Sequence, residues 1–266
     1  MKRNLLIYAI ILSLLAPLSL SLTHAAAPQQ RRRAAARPAA SAPAPARQPQ
    51  AQLVNRVLAN GLEIIVLEDH SVPLVTIELA VKNGSYTEPP ELNGLSHLYE
   101  HMFFKANRAI ANKEEYLQKI GQLGIAYNGS TREEVVNYYF TTTSPNLRTA
   151  MNFMRDAARY PLFDQNEFER EREVVIGEYD RAESNPFWQL QTAMGKKLWG
   201  EQWSRKNTIG DRQTILSTTP AKMRAIQQRY YVPNNTALIV TGDVNPDSVF
   251  RWARAALADW PRGEDP

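Results

Sequence analysis

Residues 94–105 read GLSHLYEHMFFK, and this stretch decides most of what the sequence predicts. His97 and His101 are four residues apart, so on a helix their side chains project from one face, one turn apart. Two imidazoles in that arrangement can occupy adjacent corners of a tetrahedral zinc site. Glu100 faces the same side from beside the two ligands, where it can accept a proton from a zinc-bound water. The stretch therefore predicts a helix that carries a catalytic zinc site.

The other two histidines add nothing to this site. His24 lies in the N-terminal apolar segment, and His70 stands alone beside a turn, so we interpret His70 as a surface residue. A chain with four histidines contains the HxxEH string by chance on the order of a few times per thousand such chains. The string is therefore an informative signal.

A catalytic zinc needs a third protein ligand and one open coordination position. The best candidate lies in residues 167–179, which read EFEREREVVIGEY. Glu171 and Glu178 are seven apart, hence on one helical face, and the apolar Val174 and Val175 are predicted to share that face. A carboxylate on an apolar face is costly to bury unless it is paired or bound to metal. We therefore predict Glu178 as the third ligand and Glu171 as an outer carboxylate that orients a ligand or the catalytic group.

The remaining charged residues of this segment are predicted to form a solvated helix surface. They are Glu167, Glu169, Arg170, Arg172 and Glu173.

Hydrophobic periodicity and turn signals predict interleaved strands and helices. The predicted strands are a hairpin over 54–67 that turns at Asn60-Gly61, and strands at 74–81, 135–143 and 236–241. The predicted helices are 93–105 with Asn93 as N-cap, 114–123, 147–160, 166–184, 188–199, 220–230 and 246–258. Because hairpins are common among these elements, we expect an α+β fold with a mostly antiparallel sheet packed with helices.

The N-terminal segment predicts export. Lys2 and Arg3 precede an apolar run over 5–22, and small residues follow it, which is the layout of a signal peptide at residues 1–25. The alternative is an uncleaved membrane anchor, which would be the chain's one contact with a membrane. Residues 26–52 are rich in Pro, Ala and Arg and are predicted to be a disordered tether to a domain at 53–266. The predicted location is the periplasm.

Charge and cysteine content exclude two classes of function. Residues 1–52 hold seven of the 31 Lys and Arg residues and no Asp or Glu, so residues 53–266 carry 24 basic against 27 acidic residues. A slightly acidic domain does not have the basic surface of a nucleic-acid-binding protein. The absence of cysteine excludes disulfides, thiolate ligands and a thiol nucleophile.

The order of these motifs resembles that of the insulinase/pitrilysin family, which includes the mitochondrial processing peptidases. HxxEH comes first, and an ERxVVxxE-like segment follows with 76 residues between His101 and Glu178. Further agreement lies at Pro161-Leu162-Phe163, in the YVPNN of residues 231–235 and in the ALIVTGDV of residues 237–244. The resemblance covers about residues 54–260. Few families share this inverted order of the zinc motif.

The resemblance implies roles for particular residues. His97, His101 and Glu178 would be zinc ligands, Glu100 the general base and Glu171 the accessory acidic residue. A peptide substrate would be added as a β-strand along an edge strand at Asn128, Gly129, Ser130 and Thr131. The alternative for Asn128-Gly129 is an ordinary turn.

The resemblance also implies a second homologous half that closes over the zinc and supplies an Arg/Tyr pair to the substrate. The sequence stops at Pro266, so we expect that the sequence is a fragment, that a separate chain supplies that half, or that the enzyme has lost it. Ala106-Asn107 replaces the small residues common in the family, a minor departure. We expect a zinc-dependent endopeptidase domain that hydrolyses peptides or unfolded segments. The alternative is a non-catalytic zinc-binding subunit or assembly protein that needs the second half; an intact Glu100 favours the enzyme.

Overall fold

The computed structural model describes residues 53–265. The predicted signal peptide at 1–25 and the predicted tether at 26–52 lie outside the described residues, so both stay predictions. Among the helices of residues 53–265, we find none that combines the length and the apolar character needed to cross a bilayer.

A six-stranded sheet forms the centre of the fold. Its strands are β1 (Leu53–Val57), β2 (Glu63–Glu68), β3 (Leu74–Val81), β4 (Ala126–Thr131), β5 (Val136–Thr143) and β6 (Thr236–Gly242). They are ordered β1-β2-β6-β3-β5-β4 across the sheet. The β2–β6 pair is parallel and the other neighbouring pairs are antiparallel. The predicted mostly antiparallel sheet is confirmed.

The helices agree with the predicted ones to within a few residues at each end. They are α1 (Leu95–Phe103), α2 (Lys113–Gln122), α3 (Leu147–Arg159), α4 (Gln165–Glu183), α5 (Pro186–Trp199), α6 (Arg212–Leu216), α7 (Pro220–Tyr230) and α8 (Pro246–Leu257). The short α6 and the 3-10 segment Gly200–Lys206 were not predicted. Segments this short carry too few apolar repeats for a periodic signal.

The Asn60-Gly61 hairpin is confirmed. Leu53 pairs with Leu67 and Val57 with Glu63, and Gly61 has a φ of +93°, which a glycine adopts without strain. The Asn60 side chain donates hydrogen bonds to the carbonyl oxygens of Leu257 and Trp260, at 2.8 and 3.0 Å. The turn is thus attached to the C-terminal end of α8.

The helices cover one face of the sheet. Alternate residues of β3 and β5, such as Ile77 and Tyr138, are fully buried beneath α1 and α3, where Phe103 and Phe153 stack on β5. Each such side chain contributes on the order of 2 kcal/mol through burial. On the opposite face the strands carry half-buried polar side chains such as Thr76. This layering is that of an α+β domain.

His70 lies at the surface as predicted, with 59% of its side chain exposed, but it is not alone. Its Nδ1 is 2.6 Å from Asp243 Oδ1 and its Nε2 is 2.7 Å from Glu68 Oε1. Hydrogen bonds to Asp243 and then to Glu68 raise the pKa of His70 above its ordinary value. Asp243 is 173 residues away along the chain, so no local pattern could have predicted this contact.

Candidate active site

The HxxEH segment forms α1, but its N-cap is Gly94 rather than the predicted Asn93. Gly94 has a φ of +97°, and its Cα lies against Gly210, where a side chain at 94 would collide with backbone. Asn93 faces away from the helix and donates to the carbonyl oxygens of Ser204 and Asn207, at 2.7 and 3.0 Å. The prediction was wrong because these distant carbonyls, not the helix N–H groups, are the partners of the Asn93 side chain.

The side chain that caps the first turn of α1 is that of Glu88, six residues before the N-cap Gly94. Its carboxylate accepts hydrogen bonds from the N–H groups of Gly94 and Ser96, at 2.8 and 2.5 Å. An anion there satisfies N–H groups that have no partner within the helix and interacts favourably with the helix dipole. This capping interaction was not predicted, because a loop that contains two prolines separates Glu88 from the helix. The first turn of α1 is thereby fixed next to His97.

His97, His101 and Glu178 converge. One candidate ligand atom from each lies within 4.8 Å of the other two, although Glu178 is on α4 and the histidines are on α1. The Nε2 atoms of His97 and His101 are 3.5 and 3.6 Å from the same oxygen of Glu178, Oε2. Two ligands of a tetrahedral zinc, each about 2.1 Å from the metal, are about 3.4 Å apart. The observed separations are close to that spacing.

The chemistry of the donors also fits zinc. Two imidazoles and one carboxylate are the protein ligands of many catalytic zinc sites, and they leave a fourth position open. Burial first, and then the charge of His101, lower the pKa of His97 to about 4. A neutral imidazole keeps the lone pair that a metal requires. The buried Nδ1 of His97 has no hydrogen-bond partner among the described residues. Nε2 is the ring nitrogen of His97 that faces Glu178, and it is therefore the candidate ligand atom.

Glu171 lies behind this group, as an outer carboxylate should. It is 6% exposed, and its Oε2 is 3.4 Å from Nδ1 of His101. Burial acts to raise the pKa of Glu171, but hydrogen bonds from His101 and Lys105 outweigh it and lower the pKa to about 2. A proton held on Nδ1 of His101 leaves Nε2 free to bind metal.

The apolar face predicted around Glu171 is only half correct. Val175 is fully buried, whereas Val174 is 47% exposed. Successive residues of a helix point about 100° apart, so the two valines cannot both face the core when the buried stripe is narrow.

Glu167 was predicted to be solvated, and this prediction is wrong. Its carboxylate accepts hydrogen bonds from the N–H groups of Ala106 and Lys113, at 3.0 and 2.8 Å. Glu167 therefore joins the first turn of α2 to the segment that follows α1. These partners lie 61 and 54 residues away, beyond the reach of a helical-face argument. Glu169 and Glu173 are exposed, as predicted.

Glu100 points toward β4. Its Oε2 accepts a hydrogen bond of 2.6 Å from the hydroxyl group of Thr131. Burial raises the pKa of Glu100, and the hydrogen bond from Thr131 opposes that rise. A Cβ atom on Gly129 would lie 2.9 Å from both Cγ and Oε1 of Glu100. Gly129 therefore leaves the space that the Glu100 carboxylate occupies.

Residues 128–131 lie in β4, at one edge of the sheet, so the ordinary-turn interpretation of Asn128-Gly129 is wrong. The side chain of Ser130 faces the open side of the sheet, where it donates to Asn137. Asn128, two residues before Ser130 in the strand, projects to that same side, away from α1. The N–H of Arg132 bonds to the carbonyl oxygen of Val135, so these two residues form a hydrogen-bonded pair between β4 and β5. Hydrogen-bonded and non-hydrogen-bonded pairs alternate along antiparallel strands. Gly129 therefore forms a non-hydrogen-bonded pair with Tyr138, and its backbone N–H and C=O point to the free edge. The Gly129 N–H is taken by Oδ1 of Asn128, at 2.9 Å.

The two-layer fold and the His-His-Glu group define a candidate metallopeptidase site with an inverted zinc motif. Residues 63–210 match the profile of the insulinase family, peptidase family M16, and residues 217–266 match that of the M16 inactive domain. The first match covers more than half of the chain, so the chain belongs to the insulinase family, and the resemblance read from the sequence is confirmed. Every site residue discussed above lies within 63–210.

Individual relatives agree with this assignment. An uncharacterized zinc protease of Bacillus subtilis, YmxG, is 27% identical over 186 residues, which is 70% of this chain and 45% of that protein. A protease from Helicobacter pylori matches the fold with a TM-score of 0.75 at 22% identity, over 82% of this chain and 52% of the other. The periplasmic protease PqqL from Escherichia coli gives a TM-score of 0.74 at 24% identity, over 82% of this chain and 25% of PqqL. The chain spans about half or less of the length of these proteins.

Proposed function

We propose that this chain is a zinc-dependent endopeptidase domain that hydrolyses peptide bonds in peptides or unfolded segments. The observation that carries the proposal is the convergence of His97, His101 and Glu178 within 4.8 Å. Glu100 lies on α1 between the two histidines, three residues after His97 and so on the same side of the helix. A purely structural zinc site is closed by a fourth protein ligand and has no use for a neighbouring base. The membership of the insulinase family supports a peptidase role.

The residues divide the chemistry among them. His97, His101 and Glu178 would hold zinc, which when bound supplies a Lewis acid that acidifies water and polarises the scissile carbonyl. Glu100 accepts the proton of the attacking water and passes it to the leaving amine nitrogen. Its raised pKa suits this exchange, because a base that is too acidic would not take the proton. Glu171 holds the ring of His101 in orientation.

The free edge of β4 is the proposed place for the peptide backbone. An extended peptide added to this edge would meet the backbone groups of Gly129, next to the Glu100 carboxylate. Backbone pairing does not require one peptide sequence, which suits a substrate class rather than a single substrate. The side chain of Ser130 faces the open side of the sheet, and Asn128, two residues earlier in the strand, faces the same side. Asn128 and Ser130 would therefore contribute to peptide binding through the backbone of β4. For the peptide to take the Gly129 N–H, Asn128 would have to release it.

We further propose that a second homologous half or partner chain completes the enzyme. A stripe of apolar side chains on α5 supports this: Phe187, Leu190, Met194 and Leu198 are 53–75% exposed. Their spacing of three, four and four residues puts them on one helix face. Exposed apolar stripes of this kind commonly mark surfaces that a partner covers. Phe187 and Glu178 line one cleft, so the stripe begins next to one of the proposed zinc ligands.

The proposed location is the periplasm. The sequence of residues 1–25 supports it by its signal-peptide layout, and PqqL, whose fold this domain shares, is a periplasmic protease.

Metal content and cleavage, measured separately, test the proposed function. The full chain should hold about one zinc per molecule, as counted by plasma mass spectrometry after dialysis. His97→Ala and Glu178→Gln should reduce the zinc content, whereas Glu100→Gln should keep it and abolish cleavage of a quenched-fluorescent peptide. Full zinc occupancy in Glu178→Gln would show that the third ligand is a different residue. Cleavage by Glu100→Gln at the rate of the unaltered chain, where that rate exceeds the zinc-free blank, would remove Glu100 as the base.

A further inference from the structure

Lys105 is a buried cation immediately beyond α1. It is 8% exposed, which is unusual for lysine, and its Nζ lies 2.8 Å from Oε1 of Glu171. A buried charge is tolerated when it is paired, and removal of one partner leaves the other uncompensated. Each of the two buried charges, on Lys105 and on Glu171, is therefore stabilised by the other.

The two oxygens of Glu171 are used for different partners. Oε1 faces Lys105, with Nζ of Lys113 further away at 3.7 Å, while Oε2 faces Nδ1 of His101 at 3.4 Å. This division fixes the rotation of the carboxylate. The contact with His101 is at the long limit of a hydrogen bond, so a small rotation of Glu171 would break it.

We propose that Lys105 is a positioning residue for the metal site. By holding Oε1 of Glu171, it aims Oε2 at Nδ1 of His101 and so presents Nε2 of His101 toward Glu178. The chain of contacts runs from Lys105 through Glu171 to His101, and it joins the end of α1 to the middle of α4. The inference rests on the proposed function, because it treats His101 and Glu178 as ligands.

Lys113 provides a matched comparison. It carries the same charge and faces the same oxygen of Glu171, but its side chain is 46% exposed and its Nζ is 3.7 Å away. An exposed ion pair contributes little to orientation, because water and salt screen it. If charge alone mattered, the two lysines would act alike. If position matters, Lys105 alone should affect the metal.

The test measures the zinc dissociation constant of the full chain by competition with a chromophoric chelator. Every variant is made in a Glu100→Gln background, so the readout does not depend on activity. Lys105→Met, which keeps an unbranched side chain one atom shorter but removes its charge, should weaken zinc binding about tenfold or more, as loss of an outer partner does. Lys105→Arg should recover part of the affinity, and Lys113→Met should change it less than about threefold.

A double-mutant cycle shows whether Lys105 acts through Glu171. Adding Lys105→Met to Glu171→Gln should cost little beyond the Glu171→Gln change alone. An equal loss in both backgrounds would overturn the proposal, as would unchanged zinc affinity in Lys105→Met. If circular dichroism shows that Lys105→Met does not fold, Lys105→Gln replaces it as the variant without charge and Lys105→Arg remains the variant that keeps the charge. Failure of the starting Glu100→Gln protein to bind zinc would instead reject the metal site itself, and the positioning role with it.

Discussion

The hydroxyl group of Thr131 donates a hydrogen bond of 2.6 Å to Oε2 of Glu100 and so joins the free-edge strand β4 to helix α1. The contact connects the two parts that the proposed reaction requires, the edge that holds a peptide and the base that acts on it. It also affects the charge of the base. Burial raises the pKa of Glu100, and the hydrogen bond from Thr131 pulls it back by stabilising the carboxylate.

Thr131→Val removes the hydroxyl group at nearly constant shape. Without the hydrogen bond, the pKa of Glu100 should rise further, so a larger share of the base would be protonated at low pH. The acidic limb of the kcat/KM profile should therefore move toward higher pH, with a greater loss of activity at pH 6 than at pH 8. A uniform loss at all pH values would indicate that Thr131 acts on the peptide instead. Zinc content should equal that of the unaltered chain.

Gly129→Ala tests the close approach of β4 to Glu100. The added Cβ would lie 2.9 Å from Cγ and Oε1 of Glu100, so that carboxylate must shift by a few tenths of an ångström. We expect kcat to fall about tenfold, with KM and zinc content little changed, because small misplacements of catalytic groups are costly. Gly121→Ala is the control, since nothing lies within 4 Å of a Cβ there. Equal kcat values for the two variants would show that Glu100 tolerates the crowding.

Local signals predicted much of this fold, and contacts between distant residues explain most of the errors. The Asn60-Gly61 turn and the spacing of His97 and His101 are properties of short segments, so the hairpin and α1 followed from them. β4 was different. Its sequence AYNGST has few β-favouring residues, and only the family resemblance indicated a strand.

The side-chain contacts that surround the candidate ligands were less predictable than the ligands themselves. HxxEH restricts its own geometry, because a helix fixes which side chains share a face. Nothing local identifies Lys105 as the partner of Glu171, because the choice among many charged residues is made by packing. Asn93 shows the same limit, since its side chain bonds to carbonyl groups 111 and 114 residues away.

His70 should make stability depend on pH. Its pKa is raised by Asp243 and then Glu68, so its contribution is fully present below the ordinary value of 6.5 and is lost as pH rises through the raised value. The unfolding temperature of the full chain should therefore exceed that of His70→Gln by more at pH 6 than at about pH 9. A difference that stays constant with pH would assign the effect to packing. Asp243→Asn should weaken the pH dependence in the same way.

The apolar stripe on α5 makes a prediction about the second half. A complete enzyme would enclose the peptide and exclude water, and both contribute heavily to catalysis. The chain alone should therefore bind zinc yet cleave unstructured peptides weakly. A homologous second half, supplied as a continuation or as a separate chain, should raise cleavage about a hundredfold or more, because it would add donors that stabilise the developing oxyanion. Strong zinc-dependent turnover by the chain alone would contradict the need for that half.

Leu190→Glu places a charge in the middle of the stripe, and it should reduce the activation by the second half. Leu190 is 53% exposed, so the change removes little packing from the domain, and zinc content and unfolding temperature should stay near those of the unaltered chain. Ala193→Glu adds the same charge at an exposed position of α5 that lies about 100° around the helix from the centre of the stripe, so it controls for charge alone. Burying the unpaired carboxylate under a partner is costly, which is why only the stripe variant should weaken association. Sedimentation velocity with the second half present, together with the peptide assay, measures both effects. If Leu190→Glu and Ala193→Glu associate equally well with the second half, the stripe is not the contact surface.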